Sequence, residues 1–180
     1  MTKLLKVLFI TCLTTVVFAQ EKKNPADNYI IKRLIICNDN KEILMAKYGG
    51  KWSVPPLRFN KSETYNESLD ALASNMGVRI SSPKLAGVFS FKYSYTTPAA
   101  LRMFYLAKYT GGKIRPLEGW EEVKWMSETE VIALKNESVY SLMASKIIED
   151  TSTLWGGAFY LYKEEDTVLY KILEDFYPLR

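Results

Sequence analysis

Apolar and β-branched positions crowd together over residues 29–37, with Ile30-Ile31 and Leu34-Ile35-Ile36. Asn38-Asp39-Asn40 interrupts them with turn chemistry, and residues 42–47 resume the pattern, so the two runs read as a hairpin. Gly49-Gly50 and Pro55-Pro56 bracket a loop that holds Trp52. Thr64 with Glu67 three residues later forms a capping box, in which each side chain satisfies an orphan backbone donor at a helix start. Tyr65, Leu69, Leu72 and Met76 then recur at helical spacing as one stripe, and Gly77 ends the helix as a C′ residue would. From Phe89 to Tyr95, aromatic positions alternate with Ser90, Lys92 and Ser94, which is the period of a strand. Residues 101–109 are apolar enough to pair with it across Thr96-Thr97-Pro98, and residues 123–126 make a short strand. Ser127 with Glu130 is a second capping box, opening a short helix through Leu134, and residues 138–150 read as another helix. Residues 158–162 add a strand, and residues 167–176 are expected to close the chain as a helix. The fold class is α+β, a mixed α/β/α sandwich with a mixed sheet and a C-terminal helical extension, in one domain over residues 29–180.

The first residues follow a different pattern. Lys3 and Lys6 precede an uncharged, largely apolar run over residues 7–19, and Val17-Phe18-Ala19 suits signal peptidase. The run is well short of the ~20 apolar residues that span a bilayer. Residues 1–19 are therefore expected to be a cleaved signal peptide, with residues 20–28 a polar arm and the product periplasmic or secreted.

Composition narrows the chemistry. Of the 180 residues 48% are hydrophobic and 13% aromatic, as an ordinary core requires and disorder forbids. Losing Lys3 and Lys6 takes the net charge from +4 to about +2, with no basic cluster left to favour nucleic acid or a membrane surface. Cys37 would be the single thiol remaining, which precludes an internal disulfide and suits a small buried hydrophobe. Histidine is absent, which removes Ser-His-Asp triads, Cys-His pairs and His-containing zinc sites together. Any catalysis would have to use carboxylates, a metal, or a Lys or Tyr.

Three separated segments resemble one family. Gly50-Lys51-Trp52-Ser53-Val54-Pro55 is similar to the stretch that leads into the Nudix box. Leu72, Gly77 and Val78 hold the box's hydrophobic, glycine and final hydrophobic positions, and Glu121 to Glu130 resembles the family's late Glu-rich, Trp-containing strand before a short helix. The resemblance implies the Nudix fold, and in the family it goes with hydrolysis of a nucleoside diphosphate linked to another moiety, using magnesium held by box glutamates. Counted back from Gly77, the paired metal-binding glutamates fall on Ser74 and Asn75, and the Arg-Glu pair falls on Asp70 and Ala71. The Gly-Gly falls on Pro56-Leu57, and the earlier glutamate on Ser62, or on Glu63 if the loop is one residue shorter. A hydroxyl and a carboxamide do not neutralise a hard divalent ion as two carboxylates do.

Glu63, Glu67 and Asp70 form an acidic line along the same helix and are the alternative metal ligands, with Mg²⁺ the implied cofactor in that case. A helical wheel at ~100° per residue puts the line opposite the apolar stripe, where a solvated face belongs. Glu118, Glu121 and Glu122 are later acids that a divergent enzyme would recruit. Arg58 and Lys61 precede the helix and are candidates to touch a phosphate near its N-terminal end, and Trp52 is a candidate to stack on a ligand. Trp120, Trp125, Trp155, Tyr93, Tyr95 and Tyr105 are further stacking candidates, for which structural packing is the ordinary role. The expectation is an exported Nudix-fold protein without hydrolytic activity or cofactor, binding a small nucleotide- or sugar-phosphate-like ligand or a partner. The alternatives are a divergent phosphoanhydride hydrolase with non-standard metal ligands, and a structural protein of the cell envelope.

Overall fold

The computed structural model describes residues 30–59, 62–96, 100–165 and 167–179. The expected signal peptide and N-terminal arm lie outside the described residues, as does Lys61. Among the described residues ten strands form a mixed sheet flanked by helices on both faces.

The centre of the sheet is β1 (Ile30–Cys37), an unbroken apolar run except for Lys32 and Arg33, as expected of a strand covered on both faces. It joins β2 (Glu42–Tyr48) through a turn in which the Asn38 side-chain oxygen accepts from the Asn40 and Glu42 amides at 3.0 and 2.9 Å. Beyond β2 the chain makes two short strands, β3 (Lys51–Ser53) and β4 (Pro56–Phe59). β4 returns to pair with residues 30–33 of β1, whereas β2 meets β1 at Cys37 opposite Ile43. The two partners share one edge of β1, so the β2–β3 hairpin diverges from β4.

Helix α1 (Tyr65–Asn75) begins at the expected capping box: the Glu67 amide donates to the Thr64 hydroxyl at 3.2 Å and the Thr64 amide to the Glu67 carboxylate at 2.8 Å. It lays Leu69, Leu72, Ala73 and Met76 on Leu34, Ile36 and Leu44 of the sheet. Tyr65 departs from the expected stripe: it is 43% exposed, with its ring against Phe59 and Tyr105 at the margin of this layer.

After β5 (Val78–Ile80), the long strands β6 (Lys84–Tyr93) and β7 (Ala100–Gly112) form the aromatic hairpin expected from the alternation. β7 runs parallel to β1, and β8 (Glu122–Ser127) pairs with β2. Helix α2 (Glu128–Ala133) runs into a 3₁₀ turn (Leu134–Asn136), and α3 (Val139–Glu149) follows. Both helices cover the sheet face opposite α1, where Phe89 meets Phe104 and Phe159 edge-on at 5.5 and 6.1 Å. β9 (Trp155–Glu164) runs parallel to β6.

The C-terminal helical extension is not formed. Residues 167–178 are instead β10 (Thr167–Pro178), an edge strand antiparallel to β9. Val168, Ile172 and Phe176 imitate a helical repeat because the register slips between Ile172 and Glu174 and again before Tyr177, which breaks the period of two. β-branched and aromatic residues beside a waiting sheet edge favour the strand. Among the described residues no helix is long and apolar enough to cross a membrane.

Candidate functional site

The helix that carries the box-like positions exposes them. Asp70, Ala71, Ser74 and Asn75 all lie on the solvent side of α1. At the close of the helix the Arg115 guanidinium donates to the Asn75 carbonyl at 3.0 Å and to the Ser74 carbonyl at 3.4 Å. A cation satisfying the last carbonyls opposes the negative end of the helix dipole. The end of α1 thus presents a hydroxyl, a carboxamide and a guanidinium.

The alternative ligands do not converge. The Glu67 carboxylate is held by the Thr64 cap, which keeps it below the usual carboxylate range. Glu121 accepts from the Gly50 amide at 2.8 Å and lies 3.8 Å from the Lys47 ammonium, so its carboxylate pins the Gly49-Gly50 turn. Among the described residues no three Asp, Glu, Cys or His side chains gather into a set that could hold a metal ion. Mg²⁺ requires near-octahedral oxygen ligation with anionic members, and this donor set does not fit it.

Under the first turn of α1 lies a cation in place of an acid. Lys32 is wholly inaccessible; its ammonium donates to the Ser68 hydroxyl and, at 3.4 Å, to the Tyr65 carbonyl, and lies 3.6 Å from the centre of the Phe59 ring. Burial pushes its pKa down to about 8, against the opposing charge of Glu63.

On the other face of the sheet, the divergence of β2–β3 from β4 opens a cleft of about 720 Å³. That volume is within the ~300–1,000 Å³ typical of small-molecule sites. Trp52 of β3, Trp120 before β8, Tyr140 of α3 and Tyr170 of β10 form aromatic walls, and Arg33 of β1 lies among them. The Lys47 and Lys124 ammonium groups lie 5.9 and 4.8 Å from the Trp52 ring centre. Arg33 donates to the Ser53 hydroxyl at 2.7 Å and the Val54 carbonyl at 3.1 Å, with its guanidinium 3.9 Å from the Tyr140 ring centre. Desolvation pushes the Arg33 pKa down to about 10, with the Tyr140 phenol opposing the fall and the charge of Arg102 adding to it, so Arg33 is still a cation at neutral pH.

Of the sequence candidates, Trp52, Trp120 and Tyr95 reach this cleft. Arg58 lies on β4 opposite Ile31, exposed and away from the cleft lining. Trp125 packs edge-on against Tyr109, and Trp155 donates to the Asp150 carbonyl at 3.1 Å. Arg33, Arg102 and Tyr140 are not legible in the sequence as site residues. A charged residue inside an apolar strand run is the signal that could draw attention to Arg33.

This architecture, a mixed sheet between α1 on one face and the α2–α3 pair on the other, matches solved structures. A MutT protein from Bacillus halodurans superposes at a TM-score of 0.66 with 16% identity, covering 81% of this chain and 97% of that one. The chain has the Nudix fold. A NUDIX hydrolase from Nitrosomonas europaea matches at 0.59 with 19% identity over 76% of this chain and 80% of its own. A MutT protein from Methanosarcina mazei Go1 matches at 0.57 with 16% identity over 69% and 94% respectively. No family model matches the chain, and no curated protein does. At such identities the likeness is one of Nudix fold, and chemistry has to be argued from the residues present.

Proposed function

We propose that this chain is an exported Nudix-fold protein that does not hydrolyse phosphoanhydrides and holds a small nucleotide- or sugar-phosphate-like ligand in the aromatic cleft. The reading rests on a contrast between the two faces of the sheet. The box end of α1 offers no converging carboxylates among the described residues and carries Arg115 on its last carbonyls. The opposite face has a cleft of about 720 Å³ with Trp52, Trp120 and Tyr140 in its walls and a buried cation among them. Flat rings suit bases and sugars, and a buried cation suits an acidic substituent. Export rests on the leader pattern of residues 1–19.

The test is a thermal-shift screen of the mature protein in excess EDTA with AMP, ADP-ribose and UDP-glucose. A ligand at a hundred times its Kd stabilises the native state by ~2.7 kcal/mol, which is a rise of roughly 5–10 °C for a chain of this size. At least one of the three is expected to produce it without metal. Stabilisation that appears only when Mg²⁺ is restored would contradict the reading and favour the divergent hydrolase.

A further inference from the structure

Two arginines on neighbouring strands are buried on the cleft face of the sheet, and neither has an acidic partner among the described residues. Arg33 on β1 is 7% exposed and Arg102 on β7 is 6% exposed. In the parallel register Ile31 faces Arg102 and Arg33 faces Phe104, so the two arginines are diagonal neighbours on one face. Every partner found for them among the described residues is neutral. Arg33 has the Ser53 hydroxyl, the Val54 carbonyl, and the ring and hydroxyl of Tyr140. Arg102 donates to the Tyr93 hydroxyl at 2.6 Å and to its neighbour's carbonyl, Leu101 O, at 3.4 Å, and lies 5.0 Å from the Phe91 ring centre. The Nε atoms of both are buried without a hydrogen-bond partner among the described residues.

Neutral dipoles solvate a cation but leave its charge uncancelled. Buried charges are ordinarily paired, and two like charges side by side raise the cost. Glu137 is the one acid among the described residues that line the cleft, and it makes no ion pair with either guanidinium. Lys51 adds a further cation to the lining. Arg33 thus faces a space of ligand size, with Arg102 behind it and no acid paired to either guanidinium among the described residues.

We propose that the cleft recognises its ligand through an anionic group set against Arg33, with Arg102 behind it supplying a second positive charge. The ligand class is a small cyclic organic acid or phosphate monoester, with its ring between the aromatic walls. This rests on the cleft-binding reading and adds what it lacks: an anchor on the sheet face away from α1, so selection by charge needs no metal. A guanidinium gives such an anion charge-assisted, directional bonds, and a neutral analogue of the same shape leaves the two charges uncancelled.

The experiment is a titration of the tryptophan fluorescence of the mature protein in EDTA at fixed ionic strength. The probes are two matched pairs: AMP against adenosine, and indole-3-acetate against 3-methylindole. In at least one pair the anionic member is expected to bind roughly tenfold tighter or better. Arg33→Met should collapse that ratio toward one, and Arg102→Met should reduce it several-fold. Equal affinity of anionic and neutral members for the wild-type protein would overturn the anion anchor and leave the cleft reading standing. Silence from all four probes would overturn both. Should a variant fail to fold, the wild-type ratios still decide between these outcomes. As a second wild-type measurement, inorganic phosphate should raise the melting temperature above chloride at matched ionic strength, and no difference would count against the anchor.

Discussion

An alanine at Gly77 is expected to cost about 3 kcal/mol or more, through a left-handed backbone and a steric clash together. For a chain of this size that is a fall of roughly 6–12 °C in melting temperature. Gly77 has φ +79°, and a Cβ built there would lie 2.1 Å from the carbonyl oxygen of Lys113. The obstacle is backbone, and it cannot swing aside. The Lys113 amide donates to the Gly77 carbonyl at 2.9 Å and the Arg115 amide to the Met76 carbonyl at 2.9 Å, so the segment that brings Arg115 to the end of α1 is fastened at this point. Gly119 provides the control, with the same φ of +79° and nothing within 4 Å of the added carbon. Gly119→Ala should cost only the conformational part, about 1 kcal/mol. Chemical denaturation of the two variants separates the terms, and equal losses would show that the contact with Lys113 is not enforced.

Replacing Lys32 with methionine should stabilise the protein, by about 1–3 kcal/mol on the precedent of buried charges exchanged for apolar side chains of similar size. The ammonium is inaccessible and has a hydroxyl, a carbonyl and two aromatic rings around it, but no carboxylate in contact among the described residues. The change orphans little, because the Ser68 hydroxyl also donates to the Tyr65 carbonyl at 2.8 Å and keeps that bond. A pH series gives a second readout. Burial lowers the Lys32 pKa from 10.5 to about 8 in the folded chain, so between those values the unfolded chain holds the proton more often. Stability then rises with pH across that window. Lys32 is therefore most costly below pH 8, and its cost fades toward pH 10.5. The gain in Lys32→Met over wild type should be largest near neutrality and shrink as pH climbs. A gain that holds constant from pH 7 to 10.5 would mean that Lys32 keeps its proton when buried.

Much of this fold is legible in the sequence because local and tertiary signals agree. The Thr64–Glu67 and Ser127–Glu130 boxes both form with their two reciprocal bonds, and Gly77 closes α1 in the left-handed region. The alternation from Phe89 to Tyr93 is a strand with Phe89 and Phe91 inaccessible. β10 reads as a helix because a bulged edge strand, half exposed, loses the alternation that marks its neighbours. The short strands β3, β4 and β5 fall below the length at which periodicity carries information, yet β4 turns the chain back onto β1 and so shapes the cleft. The box positions can be counted from Gly77 alone. The cleft cannot, because Arg33, Trp52, Tyr140 and Tyr170 are distant in sequence and meet only through the strand order. The burial of Lys32, Arg33 and Arg102 is hidden for the opposite reason: such residues ordinarily sit in solvent, and three of them here do not.

On the proposed reading the end of α1 binds no catalytic divalent ion, because Ser74 and Asn75 fall where the resemblance to the Nudix box places carboxylates. That is measured by the release of nucleoside monophosphate from ADP-ribose and UDP-glucose by the protein with saturating Mg²⁺ or Mn²⁺, with and without EDTA. Product at the uncatalysed background is expected in both conditions. Turnover well above background that EDTA abolishes would show that a catalytic metal binds after all.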